Sequence, residues 1–302
     1  MTQRLAMLRI LVFGYAAVWT IARTPHLLDT IDLAPRRFDG IGPLWWLGEP
    51  APALAIIAAA VLTPIACGAA ALGRRYRLSS LGAVVGFLFL TTYRNSWGQI
   101  FHTENLVALH MGVLAVVPAA VARWSTEKSE WPLHKSETSA DHEVLSSAVV
   151  KALSVLTVGA YFVAGAAKLR ISGLGWIDGD VLRHQIAFDN ARKELLGDPT
   201  APFGALMLRN SWTLAPAAVA AIAVELAAPL ALVGRRAAWI WAGMAVLFHF
   251  AILAVMAIVF PYHLLGIALA PLLPIERLGT SVSAWHCRFR RHSTRLRPTG
   301  GS

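Results

Sequence analysis

The sequence predicts an all-α fold, a polytopic transmembrane helical bundle of about eight spanning helices. Three observations predict it. The 302 residues are 56% hydrophobic and only 15% charged, against about 25% charged in a soluble domain. Apolar, almost uncharged stretches recur along most of the chain, most near the ~20 residues that cross a bilayer. The short turns between some of them hold clustered arginines. A soluble enzyme and a disordered scaffold are both excluded by this pattern. The net charge of +10, from 27 Lys and Arg against 17 Asp and Glu, is the loop bias of a multi-pass membrane protein rather than a nucleic-acid footprint.

The first element, 7–21, follows Arg4 and Arg9. It is long and no small-x-small cleavage pattern follows it, so it reads as an uncleaved first span. Residues 22–50 form an outer segment with Trp45 and Trp46 as an interfacial anchor. Further spans are predicted at 51–72, 78–93 and 105–122. A polar, mobile inner loop at 123–147 separates them from a span at 149–168. A second long outer segment, 169–213, holds an amphipathic helix over 180–196. Asp180 is its predicted N-cap and Gly197 its C-cap glycine. Leu182, Ile186, Phe188 and Leu195 form its apolar side, suited to lying on the membrane or to covering a cavity. Spans at 214–234 and 237–259 follow. An eighth, 262–275, is short and begins just after Phe260-Pro261. Pro64, Pro229 and Pro261 are candidate kink sites. Residues 1–275 thus read as one transmembrane domain and 276–302 as a basic cytoplasmic tail.

Orientation follows from the basic turns. Arg74, Arg75 and Arg77 form one, Arg235 and Arg236 another, and the tail is rich in arginine. The positive-inside rule then places both termini in the cytoplasm.

Ionisable groups inside a bilayer are costly and therefore informative. Lys168 lies at helical spacing from Ala160 and Ala164, a stripe that predicts a close-packed seam. It reads either as a desolvated general base or as a snorkelling anchor. Glu225 and His249 lie on consecutive antiparallel helices at similar depth, which predicts a proximal pair, either proton-shuttling or structural. His110 alone on an apolar helix reads as structural. The polar turn from Arg94 to Asn105 includes Trp97, His102 and Glu104, and forms either an interfacial turn or one wall of an outward-facing site. Cys67 and Cys287 offer no disulfide framework, and no metal-ligand spacing, P-loop, GxGxxG, GxSxG or HExxH motif occurs.

Three motifs, in order, resemble a known family. The run YFVAGAAKL over 161–169, with GWIDG over 175–179, resembles the signature of the HTTM domain. That family includes the vitamin K-dependent gamma-carboxylase and many bacterial membrane proteins. Asn95, Ser96 and Trp97 followed by His102 and Asn105 are a second match. His249 with VMAIVFPY over 255–262 is a third. The resemblance implies a helical bundle with its site opening to the outer face. It also implies a bacterial plasma-membrane enzyme, dependent on a reduced quinone of the menaquinone or vitamin K type, that modifies or matures a secreted or membrane-associated peptide. Lys168 would be its catalytic base and His102 an assisting group. Trp97, Tyr161, Trp176, Glu225, His249 and Tyr262 would line the cavity. In the carboxylase a lysine at this position is taken to deprotonate reduced vitamin K before carbon dioxide adds to a substrate glutamate. That enzyme has two adjacent lysines where this chain has Ala167 and Lys168, and a large extramembrane domain where a short basic tail is expected here. The alternatives are a non-enzymatic membrane factor for export, maturation or immunity of a small peptide, and a quinone-linked protein of the DoxX type.

Overall fold

The computed structural model describes residues 2–116 and 139–276. Among these residues every regular element is helical. The longer helices are α1 (Thr2–Asp29), α2 (Ala53–Ala71), α3 (Tyr76–Asn95), α4 (Asn105–Val116) and α5 (Ser139–Ser172). They continue with α6 (Asp180–Leu196), α7 (Pro202–Arg209), α8 (Leu214–Leu226) and α9 (Arg235–Met256). A four-residue α10 (Pro261–Leu264) follows. Among the described residues five stretches are long and apolar enough to cross a membrane: Gln3–Asp32, Ala53–Ala71, Glu143–Trp176, Ser211–Leu232 and Arg235–Met256. The chain thus has the helices of a membrane protein.

Several boundaries differ from the expected ones. The first helix is longer than 7–21 and runs through Pro25. The fifth begins at Ser139, so the end of the expected inner loop is helical; the rest of that loop lies outside the described residues, as does the basic tail beyond 276. Helix α8 stops at Leu226, and a 3-10 segment, Ala228–Leu232, carries Pro229 at its start. Pro64 sits inside α2 without ending it. Helix α3 is 20 residues long but is loaded with Arg, Ser, Thr and Tyr near its ends, which keeps it out of the five.

The expected eighth span is not a spanning helix. After α9 the chain turns through Ala257, held at φ 49° in the left-handed region, and starts the short α10 at Pro261. It then continues in turns and a 3-10 turn at Ala270–Leu272. Much of this stretch is buried, including Tyr262, Ala268, Leu269, Ala270 and Pro271. Irregular backbone has carbonyls with no helical partner, so it survives inside a bundle only where side chains supply donors. They do so here. Thr157 donates to the Ala268 carbonyl at 2.9 Å, Ser154 to the Pro271 carbonyl at 2.8 Å, and Arg4 to the same Pro271 carbonyl at 2.6 Å. Arg4 also approaches Glu276 at 3.8 Å. The start of α1 and the end of the described chain therefore lie side by side.

The core explains why α5 is central. One cluster joins α1, α2, α3 and α4 to the first half of α5 and to Tyr262, Ala268 and Ile275. Another joins Val158 and Tyr161 of α5 to Ala228, Trp241, Ala245 and Leu269. The outer segment after α1 folds over the end of α3, where the Asp39 amide donates to the Ser96 carbonyl at 2.9 Å. Trp45 and Trp46 remain exposed there, in the manner of an interfacial anchor.

Candidate functional site

The inward stripe of α5 reads Ser154, Thr157, Tyr161, Gly165, Lys168, at steps of three and four residues that keep it on one helix face. Ser154, Thr157, Tyr161 and Gly165 are buried, whereas Ala160 and Ala164 are exposed. This corrects the predicted seam: the small residue that permits close approach is Gly165, not the alanine stripe. A Cβ at Gly165 would lie 2.9 Å from the Glu225 Cβ and 3.1 Å from Leu226. Helix α8 comes that near because its own inward stripe runs Leu214, Ala218, Ile222, Glu225.

The close approach places Lys168 and Glu225 in direct contact as an ion pair. The Glu225 side chain is 4% exposed and that of Lys168 25%. Lys168 Nζ also lies 5.3 Å from the centre of the Trp176 ring, a cation–π arrangement. Trp176 is buried against Ala218 and Ile222 of α8. Its position depends on Gly179, at φ 88°, which packs so closely on the start of α8 that a Cβ there would sit 2.6 Å from the Ala215 nitrogen. Both glycines of close approach thus seat the same ion pair.

About two turns deeper along α5, the Tyr161 hydroxyl shares a hydrogen bond of 2.8 Å with His249 Nε2. His249 occupies the inward stripe of α9, with Ala238, Trp241, Ala242 and Ala245. Its ring lies 4.4 Å from that of His263 and 4.9 Å from that of Phe260. Glu225 and His249 therefore both face inward, on neighbouring helices, but bond to different partners: the carboxylate to Lys168 and the imidazole to Tyr161. Three buried polar atoms around this cluster have no partner: Glu225 Oε2, His249 Nδ1 and His263 Nδ1. Buried polar atoms without partners are uncommon, and three of them gather here. Among the described residues no three His, Cys, Asp or Glu side chains gather as a metal site.

Tyr262 belongs to a neighbouring network. Its hydroxyl lies 2.8 Å from His110 Nδ1, and His110 Nε2 lies 3.2 Å from the Thr157 hydroxyl. Thr157 has one proton, which it gives to a carbonyl, so Nε2 of His110 carries the ring proton and Nδ1 accepts from Tyr262. This network is closed, with no spare group.

His102 is exposed and rests against Phe260, with ring centroids 5.6 Å apart. Phe260 and His249 stand between it and Tyr161, so it is a rim residue rather than a neighbour of Lys168. Trp97 lies elsewhere, in an aromatic cluster with Phe38 at 5.3 Å and Tyr93 at 5.9 Å. Of the residues named from sequence, the structure therefore gathers Lys168, Glu225, Trp176, Tyr161 and His249. His102 is left at the rim, Tyr262 next door and Trp97 apart. Sequence reasoning left His263 out of the site; its sequence distance from His249 hid that the chain doubles back.

The helix over 180–196 also differs from expectation. Its N-cap position is Gly179, and Asp178 supplies the carboxylate that accepts from the Asp180 amide at 3.0 Å. Gly197 ends it as predicted, at φ 73°. Its buried face is Ile186, Asp189 and Lys193, with Leu182 half-buried, whereas Phe188 and Leu195 point away from the protein.

No family model matches this chain, and no curated protein or solved structure is similar to it at a significant level.

Proposed function

We propose that this chain is a multi-pass enzyme of the HTTM type in the bacterial plasma membrane, with Lys168 and Glu225 as a proton-exchanging pair that acts on a reduced quinone. The observation that carries this reading is the Lys168–Glu225 pair itself. It is set in a membrane bundle, faces the Trp176 ring, and leaves Glu225 Oε2 buried without a partner.

The residues fit such a ligand. A reduced quinone has hydroxyl groups that donate and accept. Glu225 Oε2 is an acceptor without a donor, and His249 Nδ1 is a ring nitrogen without a partner that donates or accepts according to its tautomer. Lys168, Glu225, His249 and Trp176 would hold it. When bound, it supplies reducing electrons and an acidic hydroxyl. Lys168 and Glu225 are in direct contact, so the base is the pair rather than a free lysine. Glu225 receives the proton at Oε2 while Lys168 holds the other oxygen. Tyr161 and His249 form the next step of a proton path toward His263 and the rim at His102. Trp176 keeps water from the pair. The substrate that fits an outward-facing membrane site is a secreted or membrane-associated peptide.

The topology proposed with it has eight passages and both termini in the cytoplasm. Helices α3 and α4 and the irregular stretch after α9 would add three to the five apolar spans. Arg4 beside Pro271 and Glu276 supports an even number, since the two ends of the described chain then share a face. The basic turns at Arg74–Arg77 and Arg235-Arg236 would make that face cytoplasmic.

The test is quinone binding. Purified protein in nanodiscs is titrated with menaquinol under anaerobic conditions and the retained quinone is extracted and quantified. Stoichiometric retention that falls on Glu225→Gln and on Lys168→Met is the expected outcome. Lys168→Arg separates the roles, because an anchor tolerates arginine and a proton-exchanging group does not. Retention unchanged in all three variants overturns the reading. A non-enzymatic maturation or export factor then stands in its place, with the ion pair as a helix fastener.

A further inference from the structure

Helix α6 is mixed on both sides. Its inward face carries Ile186, fully buried, and the charged Asp189 and Lys193, both 8% exposed, while its exposed side carries Arg183, His184, Gln185 and Glu194 beside large apolar side chains. Lys193 pairs with Asp189 at 2.7 Å and donates to the carbonyl of Met256, the last residue of α9. Its outward face carries Phe188 at 71% and Leu195 at 88% exposure, seven residues apart and so on one line of the helix. Helix α7 repeats the arrangement. Gly204 is pressed against the Val255 carbonyl, while Phe203 is 59% exposed. In water a surface of this kind would drive aggregation.

Apolar exposure on α5 does not stop at Lys168. Val163 is 65% exposed before it, and Ile171 at 75% and Leu174 at 76% follow, with Arg170 exposed among them. A mixed apolar and basic surface of this kind suits the boundary between lipid tails and headgroups.

We infer that α6 and α7 form an interfacial element whose outward face, Phe188, Leu195 and Phe203, is immersed in the phospholipid leaflet on the side where α5 ends. The Asp189–Lys193 pair fastens the inward face to the end of α9. The occupant of the exposed face is lipid, and neither a second protein nor water. This inference rests on the membrane reading of the apolar helices and not on any quinone chemistry.

The experiment places a nitroxide label on single cysteines at 188, 195 and 203, with a control at Arg183, which is exposed on the same helix. The background is Cys67→Ala with Cys287→Ser, in nanodiscs of mixed phosphatidylcholine and phosphatidylglycerol. Collision with oxygen is compared with collision with a water-soluble nickel chelate. The expected result is oxygen dominating at 188, 195 and 203, at an apparent depth of about 5–10 Å, with nickel dominating at 183. Nickel access at 188 and 195 equal to that at 183 overturns the inference in favour of a lid in water. Exclusion of both reagents overturns it in favour of a covering protein or a second copy.

Discussion

Two buried ion pairs of this chain have the same parts and opposite character. Arg94 and Glu104 meet at 3.3 Å between the end of α3 and the start of α4, and Trp19 of α1 donates to the same Glu104 oxygen at 3.1 Å. The Arg94 guanidinium also lies over the Phe101 ring at 3.9 Å. Lys168 and Glu225 join α5 to α8, again beside a tryptophan. In the first pair both side chains are under 10% exposed, and the acid has two donors on one oxygen, Arg94 Nη1 and the Trp19 indole. In the second, the cation is a flexible lysine at 25% exposure and one carboxylate oxygen is idle. The difference is between a pair that fixes three helices and a pair with capacity to spare. An arginine cannot give up its proton and a lysine can, which is why the second pair and not the first is read as a site.

The largest effect that would sharpen this contrast is at the first pair. Glu104→Ala leaves a buried guanidinium without its partner, at a cost of about 3–5 kcal/mol; thermal unfolding in detergent should show a large fall in midpoint. A small fall would mean that the Arg94 pair is not a fastener. Next comes Gly165→Ala, which drives a methyl into the Glu225 Cβ and should cost about 1–3 kcal/mol by overpacking. The same unfolding measurement checks it, and menaquinol retention should drop with it because the α5–α8 gap widens. Glu225→Gln should cost only about 1 kcal/mol, since Lys168 is a quarter exposed and can reach water once released. The contrast between the pairs fails if Glu225→Gln destabilises as much as Glu104→Ala. The smallest effects belong to the tryptophans. Trp176→Leu should remove a cation–π contact of about 0.5–1 kcal/mol but reduce quinone retention. Trp19→Phe should lose a hydrogen bond of about 1 kcal/mol and leave retention alone.

Much of the helical layout was legible because apolar length is a strong signal. The span at 51–72 and the two at 214–234 and 237–259 come close to the observed α2, α8 with its 3-10 extension, and α9. Lys168 and Glu225 each stood out as charges in apolar surroundings, and Tyr161 and Trp176 came with the motif that surrounds Lys168. Their pairing did not stand out, because depth counted along two helices says nothing about azimuth. Glu225 was matched with His249, and the seam was assigned to the Ala160–Ala164 stripe, with Gly165 and Ala167 only thinning its surroundings, whereas Gly165 is the residue that α8 approaches. The stretch after Pro261 misled for a different reason. Its composition is that of a span, and composition does not register that Gly266 at φ 70° and two prolines at 271 and 274 break the helix. Phe188 and Leu195 were grouped with Ile186 on one broad apolar side, whereas Ile186 is buried against the protein and the other two point away from it.

The irregular stretch has a consequence for how the protein is made. A helix satisfies its own backbone and can enter a bilayer alone, whereas residues 261–276 depend on Thr157, Ser154 and Arg4 for carbonyls that lipid cannot serve. Those donors come from α5 and α1, so both must already be in place when the last stretch arrives. The order of synthesis supplies that order of assembly: the donors emerge before the segment that needs them. A chain with α1 moved to the C-terminal end would present the stretch before one of its donors exists, and its insertion would stall at the point where Arg4 is missing.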